Sequence, residues 1–269
     1  MTRKHVRHIL SLSGGKDSTA LAIYLRDRIP DLEYVFCDTE EELPETYSFI
    51  DLLEAYLGKS IHRIKHDGRD FHHWWVIYRT YLPSSQMRWC TKHLKIEPFE
   101  AFVGDDPVVS YVGIRADEDR EGYISTKPNI KAVFPFKEDG KTKQDIYEIL
   151  DGVGLELPGY YNWRSRSGCY FCFFQQKFEW VGLLENHPEL FEKAKAYEKV
   201  SEDGTQFTWQ QGESLEELAR PERVAQIKAE HAVQVEREKA RATNQSLLQI
   251  LGNVAEANSW DRPCTICSI

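Results

Sequence analysis

The 269-residue chain lacks a run of about 18 apolar residues, so no membrane-spanning helix is expected. It also lacks the Gly-x4-Gly-Lys-Ser/Thr pattern, which excludes a Walker A phosphate loop. No internal repeat and no long low-complexity stretch is present, which excludes a solenoid or a repeat array. Positive charge is scarce: 34 Lys and Arg stand against 43 Asp and Glu, for a formal net charge of -9. That balance argues against a protein that coats nucleic acid by charge alone. It leaves room for a local basic face, for which Met1 to His8 and Trp163-Arg164-Ser165-Arg166 are the candidates. The basic start has no signal-peptide apolar core or cleavage site, so a cytoplasmic location is expected. In such a compartment six cysteines point to metal binding or catalysis more than to disulfides.

What is present begins with Ser13-Gly14-Gly15-Lys16-Asp17-Ser18. An apolar run, Ile9-Leu10-Ser11-Leu12, precedes it, and a helical pattern from Thr19 to Leu25 follows. A strand, a Gly-rich turn and a helix start together turn backbone N–H groups and the positive end of a helix dipole toward an anion. Two glycines let a phosphate come close to the backbone. Lys16 adds a point charge, and Ser13 and Ser18 add hydroxyls. A plain strand-to-helix turn with a solvated lysine is the alternative.

Leu32 to Asp38 then reads as a second strand ending in a carboxylate, and the acidic stretch from Asp38 to Thr46, with Pro44 inside it, opens a helix that Gly58 stops near Leu57. Ser60 to Lys65 reads as a third strand and Val108 to Val112 as another, ending at Gly113-Ile114-Arg115. Strands alternating with helices predict an α/β fold with a doubly wound, mostly parallel sheet. Ligands of such sheets sit beyond the carboxyl ends of the strands, where the loop, Asp38, Thr39, Gly113 and Arg115 all fall. Asp38 is a candidate for a ribose or a water-bridged Mg²⁺, with a helix N-cap as the alternative. Arg115 is a candidate phosphate clamp, with an ion pair to Asp117 or Glu118 as the alternative. Phe71-His72-His73-Trp74-Trp75 reads as a packed core helix, a base-stacking surface being the other reading. From about residue 183 the chain turns helical and rich in Ala, Glu, Lys and Arg, which divides it into 1–182 and a helical C-terminal region, 183–269. The stretch from Arg223 to Arg241 carries charge on most faces and reads as an exposed or partner-facing helix.

Cys169-Tyr170-Phe171-Cys172 and the distant Cys90 form a metal-ligand pattern, two thiols at x2 spacing and one remote. A Cys-x-x-Cys redox pair is the second reading and buried inert thiols the third. Cys264 and Cys267 make a second Cys-x-x-Cys in the tail, for which a fourth ligand, a sulfur carrier or neither remains open.

Taken together, these residues resemble the phosphoadenosine phosphosulfate (PAPS) reductase family of the adenine-nucleotide α-hydrolase, or ATP-pyrophosphatase, fold. Ser13 to Ser18 resembles the family's pyrophosphate loop, Asp38-Thr39 with Pro44-Glu45-Thr46 its second-strand motif, and Gly113-Ile114-Arg115 with Glu118 its third signature. Pro135 with Asp145 resembles the next. The resemblance covers about residues 5 to 180. It implies ATP and Mg²⁺ as ligands, with Ser11, Ser13 to Ser18, Asp38, Thr39, Gly113 and Arg115 around the nucleotide and Lys16, Asp17 and Arg115 acting in catalysis. Iron–sulfur sulfonucleotide reductases carry a Cys-Cys pair where this chain has Trp89-Cys90, and a Glu-Cys-Gly-type tail where it has Pro263-Cys264-Thr265-Ile266-Cys267. A three-cysteine [4Fe-4S] cluster instead resembles certain tRNA-thiolating enzymes, with zinc as the alternative metal. Arg88-Trp89-Cys90-Thr91 and Ser167 to Cys172 look most like the SspD/DndC-type subunit of DNA phosphorothioation. That subunit cleaves ATP to AMP and pyrophosphate and activates the DNA backbone for sulfur insertion. The resemblance implies a cysteine desulfurase as sulfur donor, other DNA-modification subunits as partners, DNA reached through the complex, a possible homo-oligomer and no membrane partner. A sulfonucleotide reductase and a non-catalytic ATP-sensing module are the other function classes.

Overall fold

The computed structural model describes residues 5–119, 125–200 and 206–243. Five parallel strands make one sheet in the order β3-β2-β1-β4-β5, with β1 (Arg7–Leu12), β2 (Leu32–Cys37), β3 (Ile61–Ile64), β4 (Val108–Tyr111) and β5 (Ile130–Val133). The chain winds from β1 through β2 to β3 on one side, then returns to place β4 against the other side of β1. This reversal makes the crevice beyond β1 and β4 the topological switch point, the place where such sheets bind ligands. The doubly wound parallel sheet expected from the alternating pattern is present.

Both faces of the sheet are covered, which is why β1 and β2 read as near-continuous apolar runs. Successive side chains point to opposite faces. Leu10, Leu12, Leu32, Tyr34 and Phe36 therefore pack with α1 (Lys16–Leu25), α2 (Pro44–Leu57) and α7 (Lys143–Asp151) on one face. Ile9, Val35 and Cys37 pack with Phe99 and Val103 of α5 (Glu97–Val103) on the other. Pro44 occupies the first turn of α2, where its missing N–H costs nothing, and Gly58 ends that helix at φ 64°. Asp145 caps α7, accepting from the Thr142 amide and hydroxyl; these hydrogen bonds lower its pKa to about 2.

Two elements differ from the sequence reading. Ile130–Val133 is the edge strand β5, which the sequence reading did not include; four residues carry too short a pattern to show. The helix starting at Pro188 is α9 (Pro188–Lys195), which stops before a two-stranded ribbon, β6 (Lys199–Val200) with β7 (Gln206–Phe207). The helix preceding it, α8 (Lys177–Asn186), runs through residue 182.

A second core lies beside the sheet. It joins Phe71 and Trp75 of α3 (Phe71–Ile77), Trp89, Tyr160, Tyr170 and Phe171 to Trp180 of α8, Phe191 of α9, Trp209, and Leu215 and Leu218 of α10 (Leu215–Leu218). Phe71 sits at its centre, with ring centroids of Phe171, Trp89 and Tyr197 at 4.1, 4.9 and 5.1 Å. The aromatic cluster at 71–75 is thus core at Phe71 and Trp75, while Trp74 stacks on His93 at 3.6 Å. Among the described side chains of the long α11 (Pro221–Thr243), Ile227 and Val224 join this core, Glu222, Lys228, Glu230, Glu236 and Arg237 are exposed, and Arg223 is half-buried against Glu213. Among the described residues no helix is long and apolar enough to cross a membrane.

Because Phe71 is fully buried between segments from both parts of the chain, Phe71→Ala is expected to cost about 3–5 kcal/mol. A urea titration followed by circular dichroism checks this; a loss under about 1 kcal/mol would show that the second core is not continuous.

Candidate functional site

The loop lies between the end of β1 and α1. Gly15 is the N-cap of α1 and offers no side chain to the first-turn amides, which lack acceptors within the helix. Gly14 takes φ 70°, and a Cβ there would stand 2.7 Å from the Thr46 methyl of α2. A Cβ on Gly15 would stand 2.6 Å from Ser167 Oγ. Gly14 is therefore favoured by close packing and by its positive φ, and Gly15, at φ -96°, by close packing alone. Ser18 Oγ donates to the Gly15 carbonyl and accepts from the Ser13 amide, which closes the turn. Ser11 is buried at the end of β1 with its hydroxyl unpartnered, a polar group fit for a ligand. Lys16 is buried, its Nζ 5.6 Å from the Tyr161 ring centroid and 3.5 Å from the Ser165 carbonyl.

Tyr160 and Tyr161 are the part of the site that no sequence motif revealed. Tyr160 donates its hydroxyl to the Gly14 carbonyl, the Lys16 amide donates to Tyr161 Oη at 3.0 Å, and Ser167 donates to Ser13 Oγ. Burial pushes the Tyr161 hydroxyl well above its ordinary pKa, so it stays neutral. Arg164, offered from sequence as part of a basic face, is instead buried, and its guanidinium donates to the carbonyls of Gly168 and Cys169. Glu179 accepts from the Ser165 amide and hydroxyl, tying the same segment to α8.

Arg115, at the end of β4, is buried and ion-paired with Asp17 at 2.8 Å, Asp117 at 2.9 Å and Glu118 at 2.8 Å. The ion pair to Asp117 and Glu118 weighed from sequence is present, with Asp17 as a third partner. With three carboxylates around it, this guanidinium acts in the structure as a strut holding Asp17 and the N-terminus of α1. A Cβ on Gly113 would stand 3.2 Å from the Asp17 carbonyl oxygen, so β4 and α1 meet as closely as backbone allows. Asp38, at the end of β2, accepts from Tyr47 Oη and from the Glu40 amide. It is not the cap of α2, whose N-cap is Leu43.

Cys90, Cys169 and Cys172 line one pocket together with Thr39, Lys95 and Phe173. An antiparallel bridge between Glu42 and Cys169, with the Tyr170 amide on the Glu41 carbonyl, lays the second-strand motif against the Cys-x-x-Cys. Thr39 Oγ1 lies 3.2 Å from Cys169 Sγ, and Cys169 donates to Glu42 at 3.7 Å. Burial, then the neighbouring Cys172, pushes the Cys90 thiol up to about 12, and burial, then Glu42, pushes Cys169 well above the usual range. Three thiols on one pocket are donors of the right kind for iron–sulfur or zinc. Among the described residues, however, they do not converge into a three-ligand group. Cys264 and Cys267 lie outside the described residues.

Residues 7–170 match the model of the phosphoadenosine phosphosulfate reductase domain. The chain belongs to this family. It is a family of nucleotide-using enzymes, and the matched span takes in the loop, Asp38, Arg115, Cys90 and Cys169. Two uncharacterized proteins of Methanocaldococcus jannaschii are 28% and 27% identical, over 69% and 68% of this chain and 40% and 45% of theirs. The chain thus spans less than half the length of these two relatives. An uncharacterized 37.8 kDa protein of Escherichia phage 186 is 24% identical over 72% of this chain and 75% of its own. A PAPS reductase from Candida auris, solved with phosphate, aligns with a TM-score of 0.46 and 14% identity, covering 59% of this chain and 78% of that one.

The Tyr161 hydroxyl takes the Lys16 amide that a phosphate on the loop would need. Tyr161→Phe is therefore expected to tighten pyrophosphate binding about 5-fold, the release of one hydrogen bond of about 1 kcal/mol. Isothermal titration checks it; weaker binding would show that the hydroxyl helps hold the anion.

Proposed function

We propose that the protein is an ATP pyrophosphatase that activates an acceptor for sulfur insertion, with a DNA backbone phosphate as the favoured acceptor. The observation that carries this reading is the single segment 159–172. At one end Tyr160, Tyr161 and Ser167 grip the phosphate loop, and at the other Cys169 and Cys172 line the thiol pocket. The loop proposed to hold the nucleotide and the thiols proposed to handle sulfur thus meet one short stretch of backbone.

In this reading ATP, with Mg²⁺, lays its β and γ phosphates on the α1 N-terminus, where the first-turn amides and Lys16 stabilise the charge that grows on the leaving pyrophosphate. Arg115 keeps Asp17 and the loop in place. An acceptor phosphate oxygen attacks the α-phosphorus, pyrophosphate leaves, and the acceptor carries AMP. Sulfide then attacks the acceptor phosphorus and AMP leaves. Cys90, Cys169 and Cys172 are the residues that would hold an iron–sulfur cluster, or zinc, which would supply bound sulfide or a structural clamp. A cysteine desulfurase is the proposed sulfur source and other DNA-modification subunits are the proposed partners.

The family model itself favours a second reading, a sulfonucleotide reductase. That enzyme uses a thiol to break the sulfur bond of its substrate and releases sulfite.

Purified protein with ATP, Mg²⁺ and acceptor is expected to release AMP and pyrophosphate, and Lys16→Ala to lower the rate by about 100-fold or more. ADP with phosphate would refute the activation chemistry. Thioredoxin-dependent sulfite release from a sulfonucleotide, without AMP formation from ATP, would select the reductase.

A further inference from the structure

Beside the thiol pocket runs a larger groove, about 810 Å³, that none of the chemistry above uses. Pro83 and Phe173 line both, so the groove and the thiol pocket share a boundary beside Cys172. Its sides come from the stretch after α3, from the chain just past the Cys-x-x-Cys, and from β7 with the turn that follows it.

Two features of its lining are unusual together. The first is aromatic: Tyr81, Phe173, Phe174, Phe207 and Trp209 all border it. Tyr81 is 47% exposed at the rim and meets Phe207 edge-on at 4.8 Å. The guanidiniums of Arg88 and Arg166, which donate to the Ser85 and Phe174 carbonyls, both lie against the ring of the lining residue Phe174, 5.0 and 5.2 Å from its centroid. The second feature is Gln175. The residue is buried, at 2% exposure, it lines the groove, and neither its amide nitrogen nor its amide oxygen has a partner. An unsatisfied buried amide costs about 1–3 kcal/mol, so a ligand that offers both a donor and an acceptor would recover that cost. Position 175 is held by its own backbone: its amide donates to the Cys172 carbonyl, and its carbonyl accepts from Gln210 Nε2.

Aromatic faces for stacking, an amide able to pair with the donor–acceptor edge of a base, and adjacent guanidiniums for phosphate are the parts of a single-strand nucleic-acid groove. We propose that this groove binds an unpaired nucleotide of a nucleic-acid strand, with its base on the aromatics and the Gln175 amide and its phosphodiester turned toward the thiol pocket. The proposal deepens the reading of the site as one that modifies a nucleic-acid backbone, and it rests on that reading for its purpose though not for its geometry. It also fits a net charge of -9, because the strand is held by stacking and two arginines rather than by a broad basic surface. A duplex would have to unstack a base to enter, so single strands bind better.

The test is fluorescence anisotropy with labelled 12-nucleotide single strands and the matching duplex, using the full chain without ATP. The single strand is expected to bind more tightly than the duplex. Its affinity should fall with salt at a slope of about -1.4 on a log–log plot, the value for two phosphate contacts. Tyr81→Ala, at the exposed rim, and Gln175→Leu should each weaken binding about 10-fold. Fluorescent ATP-analogue binding should be unchanged in Tyr81→Ala, which reports that the fold and the loop are intact. The proposal is overturned if no strand binds at high micromolar protein, if both substitutions leave the affinity unchanged, or if free AMP competes as well as the strand. AMP and pyrophosphate release is scored separately: strand binding without it leaves the groove standing and removes the ATP chemistry, and the reverse result does the opposite.

Discussion

Three hydrogen bonds, from Tyr160 to the Gly14 carbonyl, from the Lys16 amide to Tyr161 and from Ser167 to Ser13, fix how the rest of this molecule can work. They bind a loop at the switch point of the sheet to a segment that belongs to the second core. Without them the Gly-Gly loop and the thiol pocket would be separate features of two packed layers. The bonds depend in turn on the absence of Cβ atoms at Gly14 and Gly15, since either methyl group would push Thr46 or Ser167 away. Arg164, buried with its guanidinium on two carbonyls of the Cys-x-x-Cys loop, extends the same restraint to the thiols.

The second core explains why the C-terminal half cannot be treated as an optional addition. Trp180, Phe191, Trp209 and Leu215 share one core with Phe71, Tyr160 and Phe171, so the helices after residue 176 are packed into the same layer as the thiol segment. Glu179 reaches forward from α8 to hold Ser165, one residue from Arg166 and two from Ser167. Packing energy in one layer is thus spent on placing polar groups in the other. Burial raises the Cys90 and Cys169 thiols, which favours their neutral form.

Much of this was legible beforehand, for identifiable reasons. A parallel sheet covered on both faces needs long apolar strands, so β1 and β2 were visible, and the Gly-Gly turn between a strand and a helix marked the loop. Pro44 and Gly58 punctuated α2 correctly. The thiols at 90, 169 and 172 were found by spacing and do share a pocket, although nothing in the spacing says whether their sulfurs converge. The role of Arg115 was legible only in part: its place at a strand end was clear, but Asp17 lies 98 residues away and became its partner only through the β1–β4 pairing. Tyr160, Tyr161 and Gln175 carried no motif at all, and Arg164 was read only as surface charge. The two tyrosines act through contacts made across more than a hundred residues and Gln175 through a missing partner, and neither leaves a local pattern. β5 was missed because four residues are too few to show a period.

The central claim is that the phosphate loop and the thiol segment act as one body. Hydrogen exchange with mass spectrometry, comparing the free chain with the chain saturated by a non-hydrolysable ATP analogue and Mg²⁺, tests it most directly. The account predicts that peptides covering 13–18 and 159–172 change protection together, and that Ser167→Ala reduces the change in the second peptide. Protection confined to 13–18, with 159–172 unaltered, would contradict it.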